Sequence, residues 1–515
     1  MNTLNLTGRD LTIDGLAAFL DAEGQARVSI DPAAAEAVAR CAHFREQLSL
    51  GDANYYGINT GFGRFATRRV DASEASQLQE NLLRSHAVGM GPSLSVEIVR
   101  LMMLLRANSL VEGYSGVSLE LVSLLVEMIN RGVTPVVPTY GSVGASGDLA
   151  PLAHMALPLI GEGDVEIGGE RMPAAAGLER VGLSARSLEP KEGLALINGT
   201  QLMSAFAVRE IVRGRRLLKT AMGAAAMSLE AYQATDRIFD ARIHNLKRHP
   251  GGRRLAEGFR RLHAGSALIK SHRDCDRVQD PYSFRCIPQV LGAVVDTLEW
   301  VETWVTREIN AVTDNPLLFP GEGDVLSGGN FHGEHMAIAL DTMAIAFAEV
   351  ASIAERRIDK LIDSDCDALP RCLVKDPGLN SGLMITQYLA AALVSENKIT
   401  AHPASVDSIP TSMGFEDHVS MGSISAIKLP RIIDNATRVV AIELLCGAQA
   451  LDFHLPLVPG RGVAAVRNAV RETVPFLEKD TILATYLSTL EARVETGDFY
   501  RAAESAVGEL LTDDH

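Results

Sequence analysis

A mostly α-helical protein is predicted by three features: few aromatic residues, abundant alanine and glycine, and long apolar runs with few breakers beyond residue 198. Aromatics make up 5% of the 515 residues and glycines number 44. That composition favours closely packed helices over strands, which prefer aromatic and β-branched side chains. A chain this long, 47% hydrophobic, buries a large core and needs neither disulfides nor metals to fold. Its net charge of −16 argues against nucleic acid as a partner, because that surface needs a basic face.

Taken in order, the N-terminal stretch carries Arg9, Asp10 and Asp14 where a secretory leader needs an apolar segment. Helices are predicted over Val96–Leu110 and Leu119–Asn130, bracketing Gly113 to Gly116. A proline- and glycine-rich loop, TPVVPTYGSVGASGDLAP, follows, and then Gly161–Met172 reads as a β-hairpin with a glycine turn. After Asn198 the texture changes to long helices over Gln201–Tyr232, Ile287–Asn310, Glu334–Ile362, Leu379–Thr400 and Val419–Phe453, the last kinked at Pro430. In the third of these, Met336, Leu340, Met343, Phe347 and Val350 form a seam, with Ile338 and Ile345 adding apolar residues on the other side. A helix apolar nearly all round belongs inside a bundle. The change of texture divides the chain into an N-terminal part, 1–200, and a long-helix part, 201–515.

The best candidate for a membrane span, His335 to Ile353, is broken by Asp341 and Glu349, so no membrane partner is expected. The six cysteines include no CxxC pair. They read as reduced thiols of a cytoplasmic protein. The basic stretch from Arg237 to Arg273 reads as a solvated face or a subunit contact.

The most informative segment is Gly141-Ser-Val-Gly-Ala-Ser-Gly-Asp148. It lacks the GxxxxGK[ST] of a phosphate loop and the GxSxG of a nucleophile elbow. A third chemistry fits each residue: attack of the Gly147 nitrogen on the Ala145 carbonyl carbon, with loss of water from that ring and from Ser146, leaving an exocyclic methylene. Gly147 has no Cβ to block the approach, Ala145 is small, and Ser146 supplies the hydroxyl. A metal hydrolase is the competing class, from His332, Glu334 and His335 in FHGEH. The spacing fits neither HExxH nor HxxEH, and no third ligand is evident in the sequence, so no metal is expected.

With YGINTGFG, NLLRSHAVG, GSVGASGDLAPLAH, EGLALINGTQ, RVQDPYSFRCIPQ, TDNP, SGGNFHGE and EDHVSM all in order, the chain resembles the aromatic amino acid ammonia-lyase family from about Leu11 to Phe499. The resemblance implies an ammonia-lyase-like fold, a central bundle of long helices beside an N-terminal part carrying the loop. It implies that Ala145-Ser146-Gly147 becomes MIO (4-methylideneimidazole-5-one), with no dissociable cofactor. It also implies a small amino acid as substrate and a homotetramer whose sites draw on three chains.

Residue by residue, the resemblance makes Tyr56 the catalytic tyrosine, with Tyr55 beside it a structural neighbour. Arg285 would bind the substrate carboxylate, Asn198 and Tyr282 would flank the ring and the amine, and Gln279 and Phe331 would line the pocket. SHAVG, FDARIH, VQDPYSFRC and NKITAHPASVDSIPTS are of the histidine-specific type, with His86 and Glu416 placed at the imidazole. That branch converts L-histidine to trans-urocanate and ammonia. The runner-up is a tyrosine or phenylalanine lyase or aminomutase of the same family. Phe415 departs from the pattern, which commonly has a polar residue such as Gln there, and leaves room for an altered substrate preference.

Overall fold

The structure is a computed structural model that describes residues 3–22, 26–51, 53–61, 69–71, 74–274, 276–363 and 368–512. Gly63 of the YGINTGFG motif, Cys275 and Cys366 lie outside the described residues. The chain forms two compact units. One comprises Met1–Arg209, Glu302–Asp341 and Pro403–Ile427, and the other Glu210–Val301, Thr342–His402 and Lys428–His515.

The first unit holds the described strands, in four small sheets. Thr3–Leu6 pairs in parallel with Arg27–Ile30, and Met90–Ser93 pairs antiparallel with Pro138–Tyr140. The predicted hairpin is present: Asp164–Ile167 and Glu170–Pro173 pair in register around Gly168 and Gly169. Both glycines have positive φ, +60° and +83°, the geometry of a two-residue turn that matches strand twist. Thr134–Pro135 adds a third strand, and Leu317–Phe319 pairs with Asp324–Leu326 in a hairpin the sequence reading missed.

The two early helices are Val96–Val111 and Leu119–Asn130, each begun by a serine, Ser95 or Ser118, whose hydroxyl accepts a first-turn amide. Among the long helices, Gln201–Ala231, Ile287–Glu308 and Glu334–Asp363 fall where the apolar periodicity puts them. Two begin later than predicted. Met384–Thr400 starts after Ser381 and Gly382, whose amides are held by Asp480. Gly422–Asp452, with Pro430 inside it, starts only after Val419–Met421, because the Ser420 hydroxyl is committed to the Gly144 carbonyl.

The seam of Glu334–Asp363 is fully buried from Met336 to Val350, yet Ile338 and Ile345 are 38% and 48% exposed. Its apolar residues are therefore not all covered within the chain. By length and composition it is the one described helix apolar enough to cross a membrane, and 61% of its most apolar window is buried. The basic stretch is only partly a solvated face. Arg254 pairs with Glu299, and His263 is buried against Glu230.

Candidate active site

The loop 141–148 is clamped from two directions. Gly147 bridges in parallel to Gly199, and the Asp148 amide donates to the Gly199 carbonyl at 2.7 Å. The Asp148 carboxyl accepts the Leu202 and Met203 amides at 3.0 and 3.1 Å, at the start of Gln201–Ala231. Helix N-termini favour such an acceptor. From the other side, the Ser423 hydroxyl donates to Asp148 at 2.8 Å and lies 3.0 Å from the Ser142 hydroxyl. Asp148 is fully buried, and desolvation pushes its carboxyl up to about 7 against the opposing pull of these donors.

Gly147 has φ +73°, and a Cβ there would lie 2.1 Å from the Gly199 carbonyl oxygen. Only glycine fits. Ala145 packs with Val419 and Met421. The Ser146 hydroxyl points the other way and donates to Glu416 Oε1 at 2.6 Å, while the Thr411 hydroxyl donates to Oε2 at 2.5 Å. Asn198 Nδ2 donates to the Ser146 carbonyl at 3.0 Å, and its Oδ1 is buried with no hydrogen-bond partner.

His86 ends the helix Ala75–His86, and its Nδ1 lies 2.9 Å from the Leu82 carbonyl. A proton on Nδ1 satisfies that contact and makes Nε2 an acceptor. Desolvation lowers the His86 pKa, opposed by the Leu82 bond and by the charge of Glu416, so the ring is neutral near pH 7. Ser146, Asn198, Glu416 and His86 thus form one connected group in the first unit. Tyr56 and Phe331 belong to the same unit and are half-buried. Tyr55 packs on the cluster of Cys41, Ile58 and Leu318.

Gln279, Tyr282 and Arg285 form a group of their own in the second unit. The short helix Tyr282–Arg285 carries two of them. The Arg285 guanidinium donates to Gln279 Oε1 and lies 5.1 Å from the Tyr282 ring centroid. Phe415, the departure from the family pattern, is 67% exposed.

Several supporting residues escaped the sequence reading. Arg106, with no exposure at all, donates from Nη1 to the Asn198 carbonyl and to Gln201 Oε1, both at 3.0 Å. Burial lowers its pKa to about 10. The only sequence signal was an arginine following the apolar run Leu101–Leu105 of the helix Val96–Val111. Asp148, Ser420 and Ser423 sit inside quoted motifs or beside them, but their side chains carry no chemistry that sequence alone would single out.

The helix that begins FHGEH starts at Glu334, so His332 precedes it and does not share a helical face with His335. His418 instead approaches His332 and Glu334, the three groups offering ligand atoms within 4.8 Å of one another. The His332 and His418 rings stack at 27°.

This loop, clamped on Gly199 and facing a carboxylate, sits in a chain that belongs to the aromatic amino acid lyase family, whose model matches residues 11–472. The chain is 51% identical to histidine ammonia-lyase of Gloeobacter violaceus over 508 residues, 98% of each chain. Among solved structures it is similar to histidine ammonia-lyase from Trypanosoma cruzi, with 39% identity, a TM-score of 0.91, and 100% and 98% of the two chains covered. It is also similar to tyrosine aminomutase from Streptomyces globisporus, with 34% identity, a TM-score of 0.92, and 99% and 100% covered.

Proposed function

We propose that this chain is a carbon–nitrogen lyase that eliminates ammonia from L-histidine to give trans-urocanate, the first step of histidine degradation. The observation that carries the reading is the Ala145-Ser146-Gly147 loop, held against Gly199 at a glycine-only position with its serine hydroxyl on Glu416. Those residues fit MIO: Gly147 offers an unhindered nitrogen, Ala145 an uncrowded carbonyl and Ser146 the hydroxyl to be lost. When formed, the group supplies an electrophilic methylene that turns the substrate amine into a leaving group.

The chain's own residues do the rest. Asn198 polarises the Ser146 carbonyl through Nδ2 and offers its open Oδ1 to the substrate amine. Arg285 binds the carboxylate through its guanidinium, which matches that planar anion with two parallel hydrogen bonds. Gln279 and Tyr282 hold the Arg285 side chain. Tyr56 is the base for the β-proton, a role its phenolic oxygen fills when ionised. Glu416 accepts an imidazole N–H, His86 offers a neutral Nε2 beside it, and Phe331 lines the pocket.

The active assembly is a homotetramer with sites drawn from three chains. The exposed apolar residues of Met384–Thr400, among them Ile385 at 60% and Tyr388 at 64%, support that reading. The four described free cysteines support a reducing, cytoplasmic setting. Assays of the purified protein on histidine, tyrosine and phenylalanine in parallel test the assignment. Faster turnover of tyrosine or phenylalanine would move it to the lyase or aminomutase branch for those substrates.

A further inference from the structure

We infer that Glu416 is the proton donor for departure of the Ser146 hydroxyl, so that it serves the formation of MIO before it serves the substrate. This rests on the reading that the loop matures into that group.

Hydroxide is a poor leaving group, and a serine side chain is shed readily only when an acid delivers a proton to its oxygen. The Ser146 Oγ lies 2.6 Å from Glu416 Oε1, within transfer distance. The Thr411 hydroxyl, 2.5 Å from Oε2, fixes the plane of the carboxyl group. Thr411 and Glu416 also pair through their backbones, so the donor stands on a closed turn.

The Ser146 hydroxyl donates to Glu416, whereas Asp148 and His86 have other partners. Asp148 is turned to the Leu202 and Met203 amides and the Ser423 hydroxyl. His86 has its Nδ1 on the Leu82 carbonyl. The Asn198 amide on the Ser146 carbonyl favours loss of the Cα proton, because it stabilises negative charge building on that oxygen.

The step balances without an oxidant. Ring closure between the Gly147 nitrogen and the Ala145 carbonyl carbon releases the first water. The Ser146 Cα–H bond then breaks, its proton passes through solvent water to the Glu416 carboxylate, and its electron pair forms the Cα=Cβ bond. The Cβ–Oγ bond breaks with its pair going to oxygen, which takes the Glu416 proton and leaves as the second water. Glu416, a carboxylate again after passing the proton on, has lost the donor that occupied Oε1, and the same oxygen becomes an acceptor for the substrate ring. Maturation therefore converts an acid for the loop into an acceptor for the substrate.

Intact mass and the near-ultraviolet difference spectrum test this without reference to turnover. Wild type should be lighter than its encoded mass by two waters, with a conjugated absorption band. Glu416→Gln keeps the size of the side chain but has no proton of comparable acidity. It should be lighter by one water only and lack the band, and Glu416→Asp should recover part of the second loss. Loss of both waters in Glu416→Gln and Glu416→Ala to the wild-type extent would overturn the proposal while leaving the lyase reading intact. A Glu416→Gln mass equal to the encoded value would overturn it too, because Glu416 would then act in ring closure. A wild-type mass equal to the encoded value would sink the underlying reading instead. Ser146→Ala provides the spectrum of a chain that cannot form the methylene.

Discussion

Gly147 and Gly199 run side by side, and neither accepts a side chain, Gly147 because of Gly199 and Gly199 because of Arg106, Gln201 and Thr313. A Cβ on Gly147 would meet the Gly199 carbonyl oxygen at 2.1 Å, and one on Gly199 would meet Arg106 Nη1 at 2.3 Å. The first contact is backbone and cannot swing away. Gly147→Ala should therefore cost about 3 kcal/mol, combining overpacking with the strain of a positive φ. It should also abolish the conjugated absorption band. Urea denaturation and a near-ultraviolet spectrum check both, and a variant of wild-type stability that keeps the band would contradict the packing.

Asp148 makes stability depend on pH in an unusual direction. Its folded pKa is raised from 3.8 to about 7 by burial. Between those values the folded chain holds a proton that the unfolded chain has released. Stability therefore falls as pH rises through that window, by at most about 1.4 kcal/mol per unit for this group. Asp148→Asn lacks the ionisation, so its stability difference from wild type should change steadily between about pH 5 and pH 7 and level off above. Denaturation midpoints that move in parallel for the two proteins across that range would refute the assignment.

Substrate choice separates the residues proposed to bind the ring from the one proposed to bind the carboxylate. His86→Phe should weaken histidine turnover and ease entry of a phenyl ring, because a polar pocket rejects analogues that leave its groups unpaired. Arg285→Lys should harm every amino acid substrate, since a lysine offers no planar fork. Both effects are to be read as kcat/KM on histidine and phenylalanine. An Arg285→Lys variant selective against one substrate alone would show that Arg285 does not bind the shared carboxylate.

Assembly is open to direct measurement. Ile345 and Tyr388 lie 48% and 64% exposed on long helices, as does Ile399 at 76%. Sedimentation at dilute concentration should show a tetramer, with a fully active monomer as the contrary result. Tyr388→Glu should weaken the assembly, as a charge does when placed on a buried apolar contact.

The long helices were legible because apolar spacing alone defines them, as in the Met336 to Val350 seam. Their starts were less so: Val419–Met421 continues the apolar pattern, but the Ser420 hydroxyl bonds to Gly144 and holds the chain out of helix. The Ala145-Ser146-Gly147 triad stood out by the chemistry its residues permit. Its clamp did not, because Asp148, Arg106 and Ser423 act through contacts between segments far apart in the chain. The Leu317–Phe319 hairpin was hidden for a related reason, since three-residue strands carry too little alternation to register.

The same wide separation sets a timetable for the nascent chain. Ser146 meets a partner 270 residues downstream in Glu416, and Asp148 meets Ser423 a further 275 positions along from itself. At ordinary translation speeds of about 5–20 residues per second, those partners leave the ribosome roughly 14–55 s after the loop does. During that interval the triad is an ordinary Ala-Ser-Gly peptide, chemically inert and facing no acid. On the proposed chemistry the electrophile is thus withheld until nearly the whole polypeptide has been made and folded around it, and incomplete chains released early are spared a group that would alkylate their surroundings.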